Sequence, residues 1–263
     1  MPQALRWSRY SDQPPAELTL ALLPSLGTSA RLWDGVVSRL HAAGLPVQVL
    51  RANLPGHGGA PSLSGFTIED LAHEAVAALH HIGVSRPVAI AGVSMGGAIA
   101  LEMARVAPNV IGGFAMFNSA VRFGSAAGWA ELSAAVRAGG TESLAAGSRA
   151  GWFDERTEQA PTAALALLSS LHEIDDDGYL ACCAALASYD ARGTLGQIAV
   201  PGLIVGGSND HATPAAPMRD IAAALPVAEY QEMPGAHLAV AQHPAIAANL
   251  LRAFLSNIER PLP

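Results

Sequence analysis

Short apolar runs alternate with longer amphipathic stretches along this chain, the pattern of a parallel sheet covered by helices on both faces. Leu18–Leu23, Val47–Leu50, Val88–Val93, Val110–Phe117 and Leu203–Val205 predict buried strands, and Glu229–Met233 predicts a short one near the end. Between them lie helical patterns. Trp33–His41 places Trp33, Val36, Val37 and Leu40 on one face. Thr67 caps the next helix, with Asp70 three residues on and Ile68, Leu71, Val76 and Leu79 as its apolar stripe. An Ala-rich helix over Ala98–Ala107 ends at Pro108, another runs to Leu225, and the last covers Pro244–Ile258. From residue 124 to 196 the strands vanish, and helical segments are broken by Gly139-Gly140, Gly147, Gly151 and Pro161. The expected fold class is therefore α/β, a mostly parallel sheet with helices on both faces. Residues 1–123 and 197–263 form its core, and 124–196 an inserted helical cap or lid.

Composition narrows the chemistry. Hydrophobic residues make up 51% of the 263 and charged ones only 14%, enough apolar surface for a large core. The formal net charge is −7, and no cluster of cations could track a phosphate backbone, which argues against a nucleic-acid partner. All 15 basic residues are Arg. Without Lys there is no Walker A loop, Schiff-base lysine or pyridoxal-phosphate anchor. The two cysteines, Cys182 and Cys183, are adjacent and do not suit a disulfide, as expected of a reducing compartment. Neither a signal-peptide core nor an apolar run of about 18 residues is present, so a cytoplasmic protein with no membrane partner is expected.

The sharpest motif is Gly92-Val93-Ser94-Met95-Gly96-Gly97, between a predicted strand and a predicted helix. A serine on so tight a turn is lifted above the sheet, with free amides and the positive helix end beside it. A serine hydroxyl needs a base, and the base a carboxylate to orient it. His237 follows the last strand, and Asp210 follows the strand before it. The order Ser94, Asp210, His237 is that of α/β-hydrolases, and both loops can leave the same sheet edge. His57, in Pro55-Gly56-His57-Gly58-Gly59, precedes the serine and reads as a support for its loop. His41, His73, His80, His81 and His243 suit solvated helix positions, while His211 borders Asp210. Met95 and Leu26 are the expected donors of N–H groups to a tetrahedral oxyanion. The run Asp175-Asp176-Asp177 reads as a solvated acidic turn, and no spacing suits a metal, nucleotide or flavin, so no cofactor is expected.

From about Leu20 to Leu255 these residues resemble the bacterial 3-oxoadipate enol-lactonases, α/β-hydrolases of aromatic-compound catabolism. The resemblance rests on the Ser94 motif, Pro55-Gly56-His57-Gly58 and the Asp210 and His237 loops. It also rests on Ser25-Leu26-Gly27-Thr28 with Trp33, Asn118-Ser119-Ala120, Trp152-Phe153 and Gly178-Tyr179-Leu180-Ala181-Cys182-Cys183. It implies a triad of Ser94, Asp210 and His237, an oxyanion hole of Leu26 and Met95, and an anionic lactone as substrate. A substrate carboxylate calls for a cation, for which Arg122 and Arg149, near Trp152, are the candidates. Pro24 stands where these lactonases often carry Asn, and Ala52-Asn53-Leu54 replaces their usual Tyr-Asp-Thr-Arg type of segment. The alternatives are another carboxylesterase, a carbon–carbon bond hydrolase, or a non-catalytic lactone receptor, as monomer or homodimer.

Overall fold

A computed structural model describes residues 4–10, 16, 18–84, 87–154 and 162–258; Pro161 lies outside them. Seven strands form one sheet in the order β1-β3-β2-β4-β5-β6-β7. These are β1 (Arg6–Arg9), β2 (Leu18–Leu23), β3 (Val47–Asn53), β4 (Val88–Val93), β5 (Ile111–Phe117), β6 (Gly202–Gly207) and β7 (Ala228–Met233). All neighbours are parallel except β1, which pairs antiparallel with β3 at the edge.

The apolar runs become strands because both faces of the sheet are covered. Along β2, Leu18, Leu20 and Leu22 enter one core and Ala21 and Leu23 the other, the period-two alternation of a strand. On one face lie α2 (Ile68–Ile82), α3 (Met95–Val106) and α8 (Ala215–Ala224); on the other lie α1 (Asp34–Ala42) and, after the short α9 (Ala239–Gln242), α10 (Pro244–Ile258). Trp33 packs edge-on to Phe117 at 5.7 Å, and its indole N–H donates to the Leu23 carbonyl at 3.0 Å. At the start of α2, the Thr67 side chain takes the Asp70 N–H while the Asp70 carboxylate takes that of Thr67. Gly83 closes the helix at φ +72°.

Two local expectations change. The β1 strand has an exposed, charged sequence with no apolar alternation, and it exists because Arg6–Arg9 hydrogen-bonds to β3. That pairing also carries β3 on to Asn53, three residues beyond the predicted end. The α3 helix begins at Met95 rather than Ala98, since Gly96 and Gly97, poor helix formers by propensity, sit in its first turn where the Leu23–Pro24 backbone and the Ser119 side chain, respectively, leave no room for a Cβ.

Between β5 and β6 the chain passes through α4 (Ala126–Gly139), α5 (Ala145–Trp152), α6 (Thr162–Ser169) and α7 (Asp176–Ser188), which lie over the C-terminal edge of the sheet. The acidic run is structural. Asp175 caps α7 by accepting from the Gly178 N–H and the Ser62 hydroxyl, and Asp176 accepts from the Thr141 N–H at 2.8 Å. Gly56 and Gly178 touch through bare backbone: a Cβ on Gly56 would stand 2.7 Å from the Gly178 Cα. This close approach stitches the Pro55–Gly59 loop to α7. Among the described residues no helix is long and apolar enough to cross a membrane. Cys182 and Cys183 are buried free thiols, and burial pushes both of them up.

Candidate active site

Ser94 occupies the bend between β4 and α3 with φ +54° and ψ −117°, a conformation that costs a non-glycine residue of order 1–3 kcal/mol. The surroundings over-determine it. Its N–H donates to the Phe117 carbonyl at 3.0 Å, and its carbonyl accepts from the Ser119 hydroxyl at 2.7 Å. A Cβ on Gly92 would stand 2.1 Å from the Gly96 backbone, and one on Gly96 would stand 2.6 Å from the Leu23 and Pro24 carbonyl oxygens. These glycines are therefore required by contact. Because α3 starts at Met95, its first amides have no partner within the helix and lie beside Ser94.

The Asp210 and His237 loops leave the ends of β6 and β7. Asp210 Oδ2 accepts from His237 Nδ1 at 2.9 Å, from the Thr213 hydroxyl at 2.6 Å and from Asn118 Nδ2 at 2.9 Å. Its Oδ1 accepts from the Ala212 and Thr213 amides at 2.8 and 3.0 Å. Burial disfavours the charged carboxylate, but the hydrogen bond and charge of His237, then the bonds from Thr213, outweigh it and bring the pKa down to about 2. Asp210 is thus ionised at any working pH. With Nδ1 donating to it, His237 keeps its lone pair on Nε2.

Asn118 and Thr213 are supports that the reading of the sequence did not assign. Asn118, at φ +45°, also donates to the Ala236 carbonyl at 3.1 Å, so one amide joins the Asp210 and His237 loops. Gly207 leaves room for it, since a Cβ there would stand 2.4 Å from Asn118 Nδ2. The Asn118-Ser119 string was visible as a motif, but its role depends on contacts made far along the chain.

Ser94 and His237 line one cavity of about 480 Å³ together with Leu26 and Trp152. The segment between β5 and β6 supplies Trp129, Leu132 and Leu144 to its wall, and polar groups come from Ser25, Ser143, Ser148, Tyr179 and Thr213. Leu26 lies in the loop after β2, which a buried histidine braces. His57 Nε2 accepts from the Gly27 N–H at 3.1 Å, and Nδ1 donates to the Pro55 carbonyl at 2.7 Å. Burial lowers the His57 pKa to about 4 against the opposing Pro55 hydrogen bond, which keeps the ring neutral. Tyr179 of α7 stacks over it at 6.0 Å.

The arginine expectations need correcting. Arg122 is exposed and lines a separate cavity with Arg192 and Asp220, because the chain after β5 turns it away from Ser94. Arg149 is exposed on α5, whose cavity-facing side is Gly147, Ser148, Gly151 and Trp152. Among the described residues, no arginine lines the cavity at Ser94. His211 is exposed, and among the described residues no cluster suited to a metal ion is found.

The model of the Alpha/beta hydrolase family matches residues 20–250. The chain is 25% identical to 3-oxoadipate enol-lactonase 1 of Acinetobacter baylyi, over 89% of this chain and 87% of that one. It is 31% identical to the pimeloyl-[acyl-carrier protein] methyl ester esterase of Neisseria meningitidis serogroup C, over 80% and 82% respectively. The crystal structure of the enol-lactonase from Burkholderia xenovorans LB400 superposes with a TM-score of 0.89 at 26% identity, covering 96% of both chains.

Proposed function

This chain belongs to the alpha/beta hydrolase family, and from that premise we propose that it is a serine hydrolase of carboxylic esters and lactones, with Ser94 as nucleophile. The observation that carries the reading is the ionised Asp210 bonded to His237 Nδ1 at 2.9 Å, with His237 and Ser94 facing one cavity. His237 Nε2 takes the Ser94 proton as Oγ attacks the carbonyl carbon. The amides of Met95 and Leu26 stabilise the oxyanion. When the tetrahedral adduct collapses, the carbon–oxygen bond of the ester breaks, and the departing oxygen takes the proton from His237. Water, giving a proton back to His237, then attacks the acyl-serine, releases the acid and restores the Ser94 hydroxyl.

For the substrate we propose 3-oxoadipate enol-lactone. Support comes from the enol-lactonase relatives and from the motifs of Ser25–Thr28 and Gly178–Cys183. Ring opening expels an enol oxygen, an easier leaving group than an alkoxide, and the enol then becomes the ketone of 3-oxoadipate. A second reading is a methyl-ester-type esterase acting on a mainly apolar acyl chain, favoured by the absence of arginine from the described cavity wall and by the relative at 31% identity.

A substrate panel separates the two. Purified enzyme is given enol-lactone, followed by its absorbance, alongside p-nitrophenyl esters and methyl esters of dicarboxylic acids. The first reading predicts the highest kcat/KM on the lactone; turnover of methyl esters without lactone opening would establish the second. Ser94→Ala should lower kcat by about 10³ or more on every active substrate.

A further inference from the structure

The end of α5 is tied to both loops that carry the acid and the base. The Trp152 carbonyl accepts the Leu238 N–H at 2.9 Å, one residue past His237. Two residues after Trp152, the Asp154 carboxylate spans the two loops. Its Oδ2 accepts from Asn209 Nδ2 at 2.9 Å, and its Oδ1 accepts from Gln242 Nε2 at 3.2 Å. Asn209 immediately precedes Asp210. Gln242 is buried and uses its Oε1 to take the Ala236 N–H at 2.8 Å, immediately before His237. One lid carboxylate is thus a single bond from the neighbour of the acid, and two bonds from the neighbour of the base.

We propose that Asp154 is a positioning residue that latches the end of lid helix α5 to the Asp210 and His237 loops, so that seating of the lid sets the placement of the imidazole. This rests on the reading of Ser94, Asp210 and His237 as the reacting set. The donors leave little freedom. Asn209 and Gln242 each bring an amide N–H donor to Asp154, one to each carboxylate oxygen. Gln242 cannot turn its amide around without giving up Ala236. Loss of the latch therefore loosens the base loop through Gln242 and the acid loop through Asn209, and a misplacement of even about 1 Å at a reacting group can cost as much as 10²-fold in rate.

The test uses p-nitrophenyl acetate, too small to need the lid wall, and the phosphorylation of Ser94 by diisopropyl fluorophosphate, which needs only serine and base. Asp154→Ala should lower kcat and the phosphorylation rate together, by about 10- to 10²-fold, with KM little changed. Asp154→Asn should recover most of the loss, because one oxygen still serves Gln242 and the Asn209 amide can turn to accept from the new one. Gln242→Met should resemble Asp154→Ala, and the double variant should be no slower than the slower single one. Wild-type rates in Asp154→Ala, or additive losses in the double variant, overturn the latch. Should Asp154→Ala not fold, Gln242→Met and Asp154→Asn decide: full rate in the former, or an equal loss in the latter, rejects it. Activity surviving in Ser94→Ala would instead reject the underlying reading.

Discussion

The two walls of the cavity are built on opposite principles. On the sheet side every reacting group is held by hydrogen bonds. Ser94 is fixed through its own N–H and carbonyl, and Asp210 through His237, Asn118, Thr213 and the Ala212 amide. On the lid side the part of the wall carried by α4 and α5 is mainly apolar and rests on few buried side chains: α4 buries only Val136, and α5 only Trp152. A wall held by directional bonds keeps reacting atoms in register and tolerates little change, whereas on the proposed reading a wall of Trp129, Leu132 and Leu144 selects by shape and should accept substitution without disturbing the chemistry. On the proposed reading the sheet edge sets how fast the bond breaks, the α4 and α5 wall sets which molecule fits, and the Asp154 bonds are the one place where the lid reaches the rate.

Substitutions can sharpen or break this division. On the sheet side, Asp210→Asn keeps the shape but removes the charge and the imidazole's orientation, and kcat should fall by about 10²- to 10⁴-fold at unchanged fold, as steady-state kinetics and circular dichroism would show. Removing the brace under the oxyanion loop should act less. His57→Ala loses the bond to the Gly27 N–H, and kcat should fall by about 10- to 10²-fold with KM nearly constant.

The same histidine makes a stability prediction. Its pKa is about 4 in the folded protein against 6.5 ordinarily, so as pH falls the unfolded chain takes up its proton first. The stability it contributes is complete above pH 6.5 and is lost as pH falls through 4, on the order of 3 kcal/mol. Denaturant titrations from pH 7 to 4 should show His57→Ala losing less stability than wild type over that range; parallel curves would contradict the assignment.

Lid substitutions should move selectivity instead. Leu132→Ala should change kcat/KM roughly tenfold for a substrate that fills that wall, while p-nitrophenyl acetate is hydrolysed as before. An equal loss on both substrates would end the division of labour. The smallest effects belong to the two arginines. Arg122→Ala and Arg149→Ala should stay within about twofold of wild type, since exposed side chains away from the site contribute little.

The same division decided what could be read from the sequence. Buried strands on a doubly covered sheet announce themselves as apolar runs, and the tight bend at Ser94 announces itself through glycines forced by contacts under 3 Å. The order of Ser94, Asp210 and His237 was legible because each follows its own strand. The β1 edge strand was not, because its stability comes from pairing with β3 rather than from its residues. The contacts of Asn118 and Asp154 were not legible for a similar reason. Their partners lie 92 and 88 residues away in Asp210 and Gln242, and no local pattern encodes such contacts. Of the two arginines, Arg122 lies in the irregular segment after β5, and Arg149 lies in the lid, where helix rotation decides which side chains face inward and the Gly-rich, Ala-rich sequence of α5 sets no strong face.

The central claim is that Ser94 carries the acyl group. Rapid acid quench during turnover of the best substrate, followed by peptide mass mapping, tests it most directly, with an activated p-nitrophenyl ester used to speed acylation relative to deacylation where the intermediate is short-lived. The account predicts a mass increase equal to the acyl group on the peptide containing Ser94, absent in Ser94→Ala. Turnover at wild-type rate in Ser94→Ala, or an acyl group carried on a different residue, would contradict it.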